Sequence, residues 1–442
     1  MNITKQLPMF FLALALIVFV SCTGELDWKD VKYPCSNAKP CAEGFTCSGG
    51  YCVSDTQDGG IPNGPYRPAV RKPKIAFLYS GPVGDFGWTW SHEQGRLHLK
   101  KLGYETTFAG PVSTKDAPNQ IEDFVKQGFN VIVGTSYDFL VPMLSKASKY
   151  PDLNFFECSG FESGKNLGSY FGRLYQIEWL AGMIAGSMTK TGRVGFIATQ
   201  PIPEVVRHLN AFAAGVQVGF QKNPNKDKLK KAVVVVKWIY NWFDPVKEPI
   251  VTQELLDLDT DIIHSHTDTS IPIEKIENAS GEPLKTKSGE KVYTIGLNSI
   301  NACSFGPRTC ILTPYWNWGA ILERLVKQLE QGKWDPSKII WEQVKKDKQE
   351  STFALTDFSS AIPGTVRLEV SNYIPKLATE GQEGQHLPFK GPIKDNQGTV
   401  RIPAGSYTTD KQLLNMCWYV EGIVGDDATT PATVPESCRG DR

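Results

Sequence analysis

Short apolar runs alternate with longer helical segments along most of this chain, and this alternation limits the possible folds more than any other feature. Each run spans four to six residues, as in KIAFLY at 74–79 and AVVVVK at 232–237, which suits a buried strand. Strands separated by helices form parallel sheets with helices on both faces. The sequence therefore predicts an α/β fold with doubly wound parallel sheets. The expected strands are 74–79, 105–108, 131–134, 154–158, 193–198, 232–237, 261–265, 292–297 and 309–313.

The pattern of strand and helix restarts near residue 191, and the 442 residues exceed what one hydrophobic core needs. We therefore expect two similar lobes facing a cleft and joined by a hinge. Lobe 1 is expected to comprise 74–190 with part of the C-terminal region, lobe 2 to comprise 191–340, and a C-terminal region and tail to occupy 341–442. The expected helices are 91–102, 119–127, 139–149, 178–188, 205–220, 248–256, 318–331, 367–377 and 410–416.

The first residues have the pattern of an export signal. Lys5 precedes an unbroken apolar run at 10–20, which is too short to span a bilayer and suits a signal peptide. Val20-Ser21-Cys22 then matches the end of a bacterial lipobox. We expect residues 1–21 to be removed and Cys22 to carry lipid, which would tether the mature chain to the plasma or outer membrane, facing the periplasm or the exterior. The alternative is an ordinary signal peptide with an incidental cysteine.

Cysteine usage agrees with an oxidising compartment. A small, polar segment that cannot build a hydrophobic core contains four cysteines: Cys35, Cys41, Cys47 and Cys52. We expect two disulfides to stabilise it, with zinc as the alternative. Three pairings are open. A Gly- and Pro-rich linker follows, so residues 22–73 are expected to be a lipidated Cys-rich segment and linker. Of the remaining cysteines, Cys303 and Cys310 suit a short loop, Cys417 and Cys438 suit a tail staple, and Cys158 suits a buried apolar site.

Aromatic and acidic residues follow the predicted strands directly. Ligands of open parallel sheets bind outside the carboxyl ends of the strands. Aromatic faces beside a few directed polar groups suit a planar ring with polar edges. Lys and Arg number 47, as do Asp and Glu, so nothing indicates nucleic acid. The candidate ligand-binding residues are Asp85, Phe86, Trp88, Ser136, Glu204, Trp242, Phe243, Asp268 and Asn298.

Several of these residues have a plainer interpretation. Trp88 can cover the following helix, and Trp242 and Phe243 can pack at the hinge. Asp268 can cap a helix, and Glu204 can pair with Arg207 one turn later.

Other motifs weigh against other kinds of function. His264-Ser-His266 places two imidazoles on one face of a strand, but no further metal-ligating cluster accompanies them, so no metal or cofactor is expected. No G-x-S-x-G motif is present, which disfavours a hydrolase, and we expect no enzyme activity. Asp85 within the Gly-rich GPVGDFG would repel phosphate, which favours an uncharged ligand.

Six motifs together resemble the basic-membrane-protein family of bacterial lipoproteins. This resemblance implies a type I periplasmic-binding-protein fold, capture of a purine nucleobase or nucleoside, and delivery to an ABC permease. The chain departs from relatives known as nucleoside receptors at Asp85-Phe86-Gly87-Trp88, where they carry an acidic-Ser-Phe-Asn pattern. The alternative function is a ligand-sensing lipoprotein that signals rather than transports. The motifs are GDFGWTWSHEQGR (84–96), YFGRLYQIEWLAGMIAG (170–186), FIATQPIPEVVRHLNAF (196–212), YNWFDPVKE (240–248), HTDT (266–269) and TPYWNWG (313–319).

Overall fold

The computed structural model describes residues 66–160 and 162–438, and the backbone of three short strands before residue 55. The expected lipidation site Cys22 lies outside the described residues, and so do the side chains of Cys35, Cys41, Cys47 and Cys52. Lipidation and the pairing of these cysteines therefore stay predictions. The three early strands form an antiparallel sheet in the order β1-β3-β2. They are β1 (Tyr33–Pro34), β2 (Phe45–Ser48) and β3 (Tyr51–Ser54).

Lobe 1 is built on six parallel strands in the order β15-β8-β7-β6-β4-β5. The central strands are buried along almost their whole length, which explains why their sequences are mostly apolar rather than alternating, apart from Asn154 and Glu157 of β7. The strands are β4 (Lys74–Leu78), β5 (Glu105–Ala109), β6 (Val131–Gly134), β7 (Asn154–Cys158), β8 (Leu167–Gly172) and β15 (Ile340–Glu342).

Lobe 2 repeats this construction with a second sheet of six parallel strands, in the order β13-β12-β11-β9-β10-β19. The doubly wound, two-lobed α/β architecture expected from the sequence is therefore confirmed. The strands are β9 (Arg193–Ala198), β10 (Val233–Trp238), β11 (Ile262–Ser265), β12 (Tyr293–Ile295), β13 (Cys310–Leu312) and β19 (Ile423–Val424). Two antiparallel pairs lie outside these sheets: β14 (Pro314–Trp316) with β16 (Phe353–Leu355), and β17 (Ile393–Lys394) with β18 (Val400–Ile402).

Helices connect and cover the strands. Helices α4 and α5 pack closely because glycines allow their backbones to touch. A Cβ atom on Gly182 or Gly215 would lie 2.0 Å from a carbonyl oxygen of the facing helix. This packing holds α5, which lines the cavity described below. The helices are α1 (Trp88–Lys101), α2 (Ala117–Lys126), α3 (Leu140–Lys149), α4 (Tyr175–Met188), α5 (Pro203–Phe220), α6 (Lys226–Leu229), α7 (Lys247–Asp257), α8 (Ile271–Glu277), α9 (Trp318–Glu330), α10 (Gly364–Leu377), α11 (Gln382–Gln385) and α12 (Asp410–Leu414).

Helix α4, expected in lobe 1, packs against α5 of lobe 2. Two further contacts depart from the expected lobe boundaries. Helix α9, expected in lobe 2, packs against α1 of lobe 1, and His98 Nε2 lies 2.6 Å from Glu323 Oε2 across this contact. The body also begins before residue 74, because Arg67 donates from its backbone to Trp334 and from its side chain to Asn154. Both differences arise from contacts between residues far apart in sequence.

The C-terminal region contacts lobe 2 and also the segment after β8, where the chain leaves the lobe 1 sheet. Strand β19 pairs with β10, and the guanidinium of Arg173, just after β8, donates to both carboxylate oxygens of Asp410 at 2.6 and 2.8 Å. Asn210 on α5 donates to the carbonyl of Trp418. These contacts attach the tail to the hinge and to α5.

The structure also bears out the later cysteine assignments. Cys303 is bonded to Cys310, and Cys417 to Cys438. Cys158 is a buried free thiol on β7. The last disulfide closes the segment that contains β19, so it holds the tail where that strand joins the lobe 2 sheet.

Candidate ligand-binding site

A cavity of about 740 Å³ lies between the lobes, beyond the carboxyl ends of strands from both sheets. All nine residues proposed from the sequence line it, which brings together side chains that follow six different strands. Whether they contact a ligand stays a prediction. The nine are Asp85, Phe86, Trp88, Ser136, Glu204, Trp242, Phe243, Asp268 and Asn298.

Trp88 lies in a fixed aromatic cluster at the start of α1. Its indole Nε1 donates to the carbonyl of Thr135 at 2.7 Å, and its ring meets Trp316 and Trp318 edge-on at 6.0 and 5.4 Å. Trp316 and Trp318 are stacked on each other at 4.3 Å. The cluster holds the Trp88 ring in one orientation, which makes it a preformed aromatic wall of the cavity.

Trp242 and Phe243 line the cavity from lobe 2. Phe243 is 46% exposed, and Trp242, like Trp88, is partly buried. The carbonyl of Trp242 accepts a hydrogen bond from the Asp268 backbone at 3.1 Å, which joins the segments that follow β10 and β11. The expected sandwich of a ring between Trp88 and Trp242 or Phe243 stays a prediction.

Asp85 caps the first turn of α1. Its Oδ1 accepts from the backbone amides of Gly87 and Trp90, and its Oδ2 accepts from that of Thr89, all within 2.9 Å. Burial raises the pKa of this carboxyl, against the opposing effect of these hydrogen bonds. The carboxylate therefore orients the start of α1 as well as lining the cavity.

Asp268 lines the cavity from lobe 2, and its Oδ1 accepts a hydrogen bond from Asn298 Nδ2 at 2.8 Å. Burial, and then the negative charge of Asp85, raise the pKa of Asp268 well above its usual range. Asp268 does not cap α8, because that helix begins at Ile271 with Ser270 before it. Its carboxylate thus remains available to the cavity.

Ser136 and Glu204 stand at the starts of helices. Ser136 begins a short 3₁₀ turn, and its hydroxyl accepts from the amide of Asp138. Glu204 lies in the first turn of α5. Arg207, one turn later, donates to the carbonyl of Leu413 in the tail.

Sequence reasoning missed several residues of the cavity. Two further carboxylates, Asp138 and Glu274, line it, and neither Lys nor Arg is among its lining residues in the described part of the chain. Trp316, which lies within the TPYWNWG motif, also lines the cavity. The position of Asp138, just after β6, was a usable signal, whereas Glu274 lies within α8 and gave none.

His208 and His266 also line the cavity, and their ring nitrogens Nδ1 and Nε2 lie 3.1 Å apart. His264, two residues earlier on β11, instead places Nε2 at 2.7 Å from Glu178. Across the described residues, no three His, Cys, Asp or Glu side chains are grouped as a metal site would require. Burial lowers the pKa of both His208 and His266, so both imidazoles are neutral at physiological pH.

In the part of the chain that the structure describes, no helix has the length and apolar character needed to cross a membrane.

Two α/β lobes that enclose a polar and aromatic cavity define a two-lobed solute-binding protein. Residues 72–350 match the family described as PnrA-like substrate-binding proteins of ABC transporters. The chain therefore belongs to this family, which the sequence motifs had indicated.

Two relatives of this chain are named for different ligands. The chain is 32% identical over 363 residues to a purine-binding protein of Brucella abortus, covering 80% of this chain and 94% of that protein. It is 29% identical to a putative ABC transporter glucose-binding protein of Haloferax volcanii, covering 64% of this chain and 66% of that protein. A solved solute-binding protein of Conexibacter woesei shares the fold, with a TM-score of 0.54 at 18% identity over 71% of this chain and 99% of that one.

Proposed function

We propose that this protein is the solute-binding lipoprotein of an ABC importer and binds a purine nucleobase or nucleoside between its lobes. The observation that carries the proposal is the composition of the cavity wall. Aromatic rings supply faces for stacking, and Asp85, Asp138, Glu204, Asp268 and Glu274 supply acceptors, while no lysine or arginine is among the described residues that line the cavity.

Such a wall suits a planar ligand that is rich in hydrogen-bond donors and carries no negative charge. Purine rings offer N–H groups and flat faces, and ribose adds hydroxyl donors. Phosphate would meet carboxylates and no cation, so nucleosides should bind better than nucleotides. The 32% identity to a purine-binding protein agrees with this choice.

The purine assignment is tested by titration calorimetry of the mature chain with adenine, guanine, adenosine, guanosine and inosine. Glucose and a nucleoside monophosphate are the comparison ligands. We expect saturable binding of at least one base or nucleoside and weaker binding of the monophosphate. Binding of glucose with no response to any purine would replace the purine assignment with a sugar and leave the solute-binding class intact.

The lipid anchor and the permease complete the proposal. Cys22 follows the signal-like segment, and the Gly- and Pro-rich linker before residue 66 would give the binding domain reach from the membrane surface. Delivery would follow lobe closure, because a ligand held by both lobes stabilises the closed form. Uptake of radiolabelled nucleoside by cells with and without this protein tests transport, and unchanged uptake would contradict it.

A further inference from the structure

The paired imidazoles of His208 and His266 are a buried polar group that the proposed stacking does not use. His208 comes from α5, one turn after Glu204, and His266 follows the end of β11. Their exposures are 1% and 4%, and both residues line the cavity. The ring of His266 is stacked on Phe196 at 5.0 Å, which holds the pair in place.

The hydrogen bond between the two rings fixes how their protons are arranged. A neutral imidazole has one N–H and one lone pair, so one ring donates across the 3.1 Å contact and the other accepts. If His266 Nε2 donates to His208 Nδ1, the outer nitrogen His208 Nε2 carries a proton. If His208 Nδ1 donates instead, His208 Nε2 is a bare acceptor.

The outer nitrogen of His208 has no hydrogen-bond partner among the described residues. The same is true of His266 Nδ1 and of the hydroxyl of Thr199. Thr199 is 1% exposed, follows β9 and lines the same cavity. Buried polar groups in proteins are nearly always hydrogen-bonded, so His208 and Thr199 together indicate a ligand that supplies the missing partners.

We propose that His208 and Thr199 form a polar subsite for the purine ring, and that the His208–His266 pair lets this subsite either donate or accept. The inference rests on the proposed function and adds to it. Adenine-type rings present an acceptor at N1 beside an amino group, whereas hypoxanthine- and guanine-type rings present N1–H beside a carbonyl. A residue with a fixed donor would reject one of these types.

The exchange between the two proton arrangements of the His208–His266 pair conserves charge and atoms. One proton leaves His208 Nε2 to water in the open cleft, a second crosses from His266 Nε2 to His208 Nδ1, and a third is taken up from water at His266 Nδ1. The pair is neutral before and after, so no charge is buried by the change. The subsite therefore accommodates amino- and oxo-purines through one pair of side chains.

Calorimetry of adenosine and inosine against wild type, His208→Phe and Thr199→Val tests the subsite. We expect His208→Phe, which keeps the ring and removes both nitrogens, to weaken both ligands about 5- to 150-fold, as expected for a buried polar group of the ligand left unpaired. His98→Phe is the matched control, because His98 lies on α1, outside the cavity lining, and pairs with Glu323. Thermal unfolding of each variant checks that it is folded.

Nitrogen-15 spectra of histidine-labelled protein test the exchange itself, because imidazole shifts distinguish the Nδ1–H and Nε2–H forms. We expect His208 to carry its proton on Nε2 with adenosine bound and on Nδ1 with inosine bound. The same tautomer in both complexes, or wild-type affinity of folded His208→Phe, would overturn the proposal while leaving purine binding intact. If wild type binds glucose and no purine, the purine assignment fails by itself. Glucose titrations of His208→Phe then test whether His208 belongs to a ligand subsite. A loss of glucose affinity supports the subsite, and wild-type affinity refutes it.

Discussion

The backbone of Gly87 in lobe 1 lies directly against the backbone of Asp268 in lobe 2. A Cβ atom at Gly87 would lie 2.0 Å from the Asp268 carbonyl oxygen and 2.6 Å from its carbon. Nearby, the rings of Phe86 and Phe305 meet edge-on at 5.2 Å across the same boundary. The lobes therefore touch at the rim of the cavity, and this contact requires a residue without a side chain.

Replacing Gly87 with alanine should therefore hinder closure. Since neither backbone can yield, we expect Gly87→Ala to weaken ligand binding about tenfold or more, measured by calorimetry. Gly84→Ala is the control, because a Cβ atom there meets nothing within 4 Å. Equal affinities of the two variants would show that this contact is not needed for binding.

The aromatic wall should contribute a large part of the affinity. Trp88→Ala and Trp242→Ala should each weaken a purine about 5- to 150-fold, because stacking a base on one aromatic ring is worth about 1–3 kcal/mol. Leu97→Ala, an exposed residue of α1, is a control that should bind as wild type does. Unchanged affinity in both tryptophan variants would contradict the predicted stacking of the ligand between these rings, without affecting the two-lobed fold.

Ligand affinity should depend on pH through Asp268. An ionised carboxylate only accepts hydrogen bonds, whereas protonation converts one of its oxygens into an O–H donor. Burial, and then the charge of Asp85, raise the pKa of Asp268. Affinity should therefore fall as the pH is lowered, beginning above the ordinary aspartate range near ~4. Asp268→Asn should bind more weakly at neutral pH and lose this pH dependence, which calorimetry at several pH values measures. An equally steep decline in the variant would assign the titration to another group.

Stability should fall in acid because buried histidines resist protonation. His92 is stacked on Trp318, and burial lowers its pKa to about 3. In the unfolded chain it protonates near ~6.5, so the unfolded state binds more protons between the two values. As the pH falls below the pKa of this histidine in the unfolded chain, His92 should lower the free energy of unfolding by roughly 1.4 kcal/mol per pH unit.

Denaturant unfolding of wild type and His92→Phe at pH values from neutral to acid measures this contribution. The phenyl ring keeps the stacking and cannot titrate, so the free energy of unfolding should decline less steeply in the variant. Other titrating groups affect both proteins alike and cancel in the difference. Parallel profiles would mean that His92 is protonated in the folded state.

We predict that membrane attachment depends on Cys22. We expect Cys22→Ser to abolish lipidation and to release the protein from the membrane fraction. Metabolic labelling with a fatty acid measures lipidation, and cell fractionation measures the release. Cys158→Ser is the control, because that thiol is buried in lobe 1 and should not affect attachment. A Cys22→Ser protein that stays in the membrane fraction would contradict the anchor.

Prediction from sequence succeeded for elements whose burial produces a local pattern of apolar residues. The strand at 193–198 is apolar after Arg193, and a helix such as α9 repeats apolar residues every three or four positions, so both were recognised. The nine cavity residues were found because residues just after parallel strands converge at one edge of a sheet.

The sequence by itself determined the alternation of strands and helices, the two lobes, the family and nine of the residues that line the cavity. Only the tertiary structure decided that β15 and β19, of three and two residues, complete the sheets of different lobes, because such short strands carry no period. It also decided that α9 packs on lobe 1, that Gly87 meets Asp268, and that His208 lies beside His266. Each of these depends on contacts between distant segments, whose free energy comes from packing and has no local pattern in the chain.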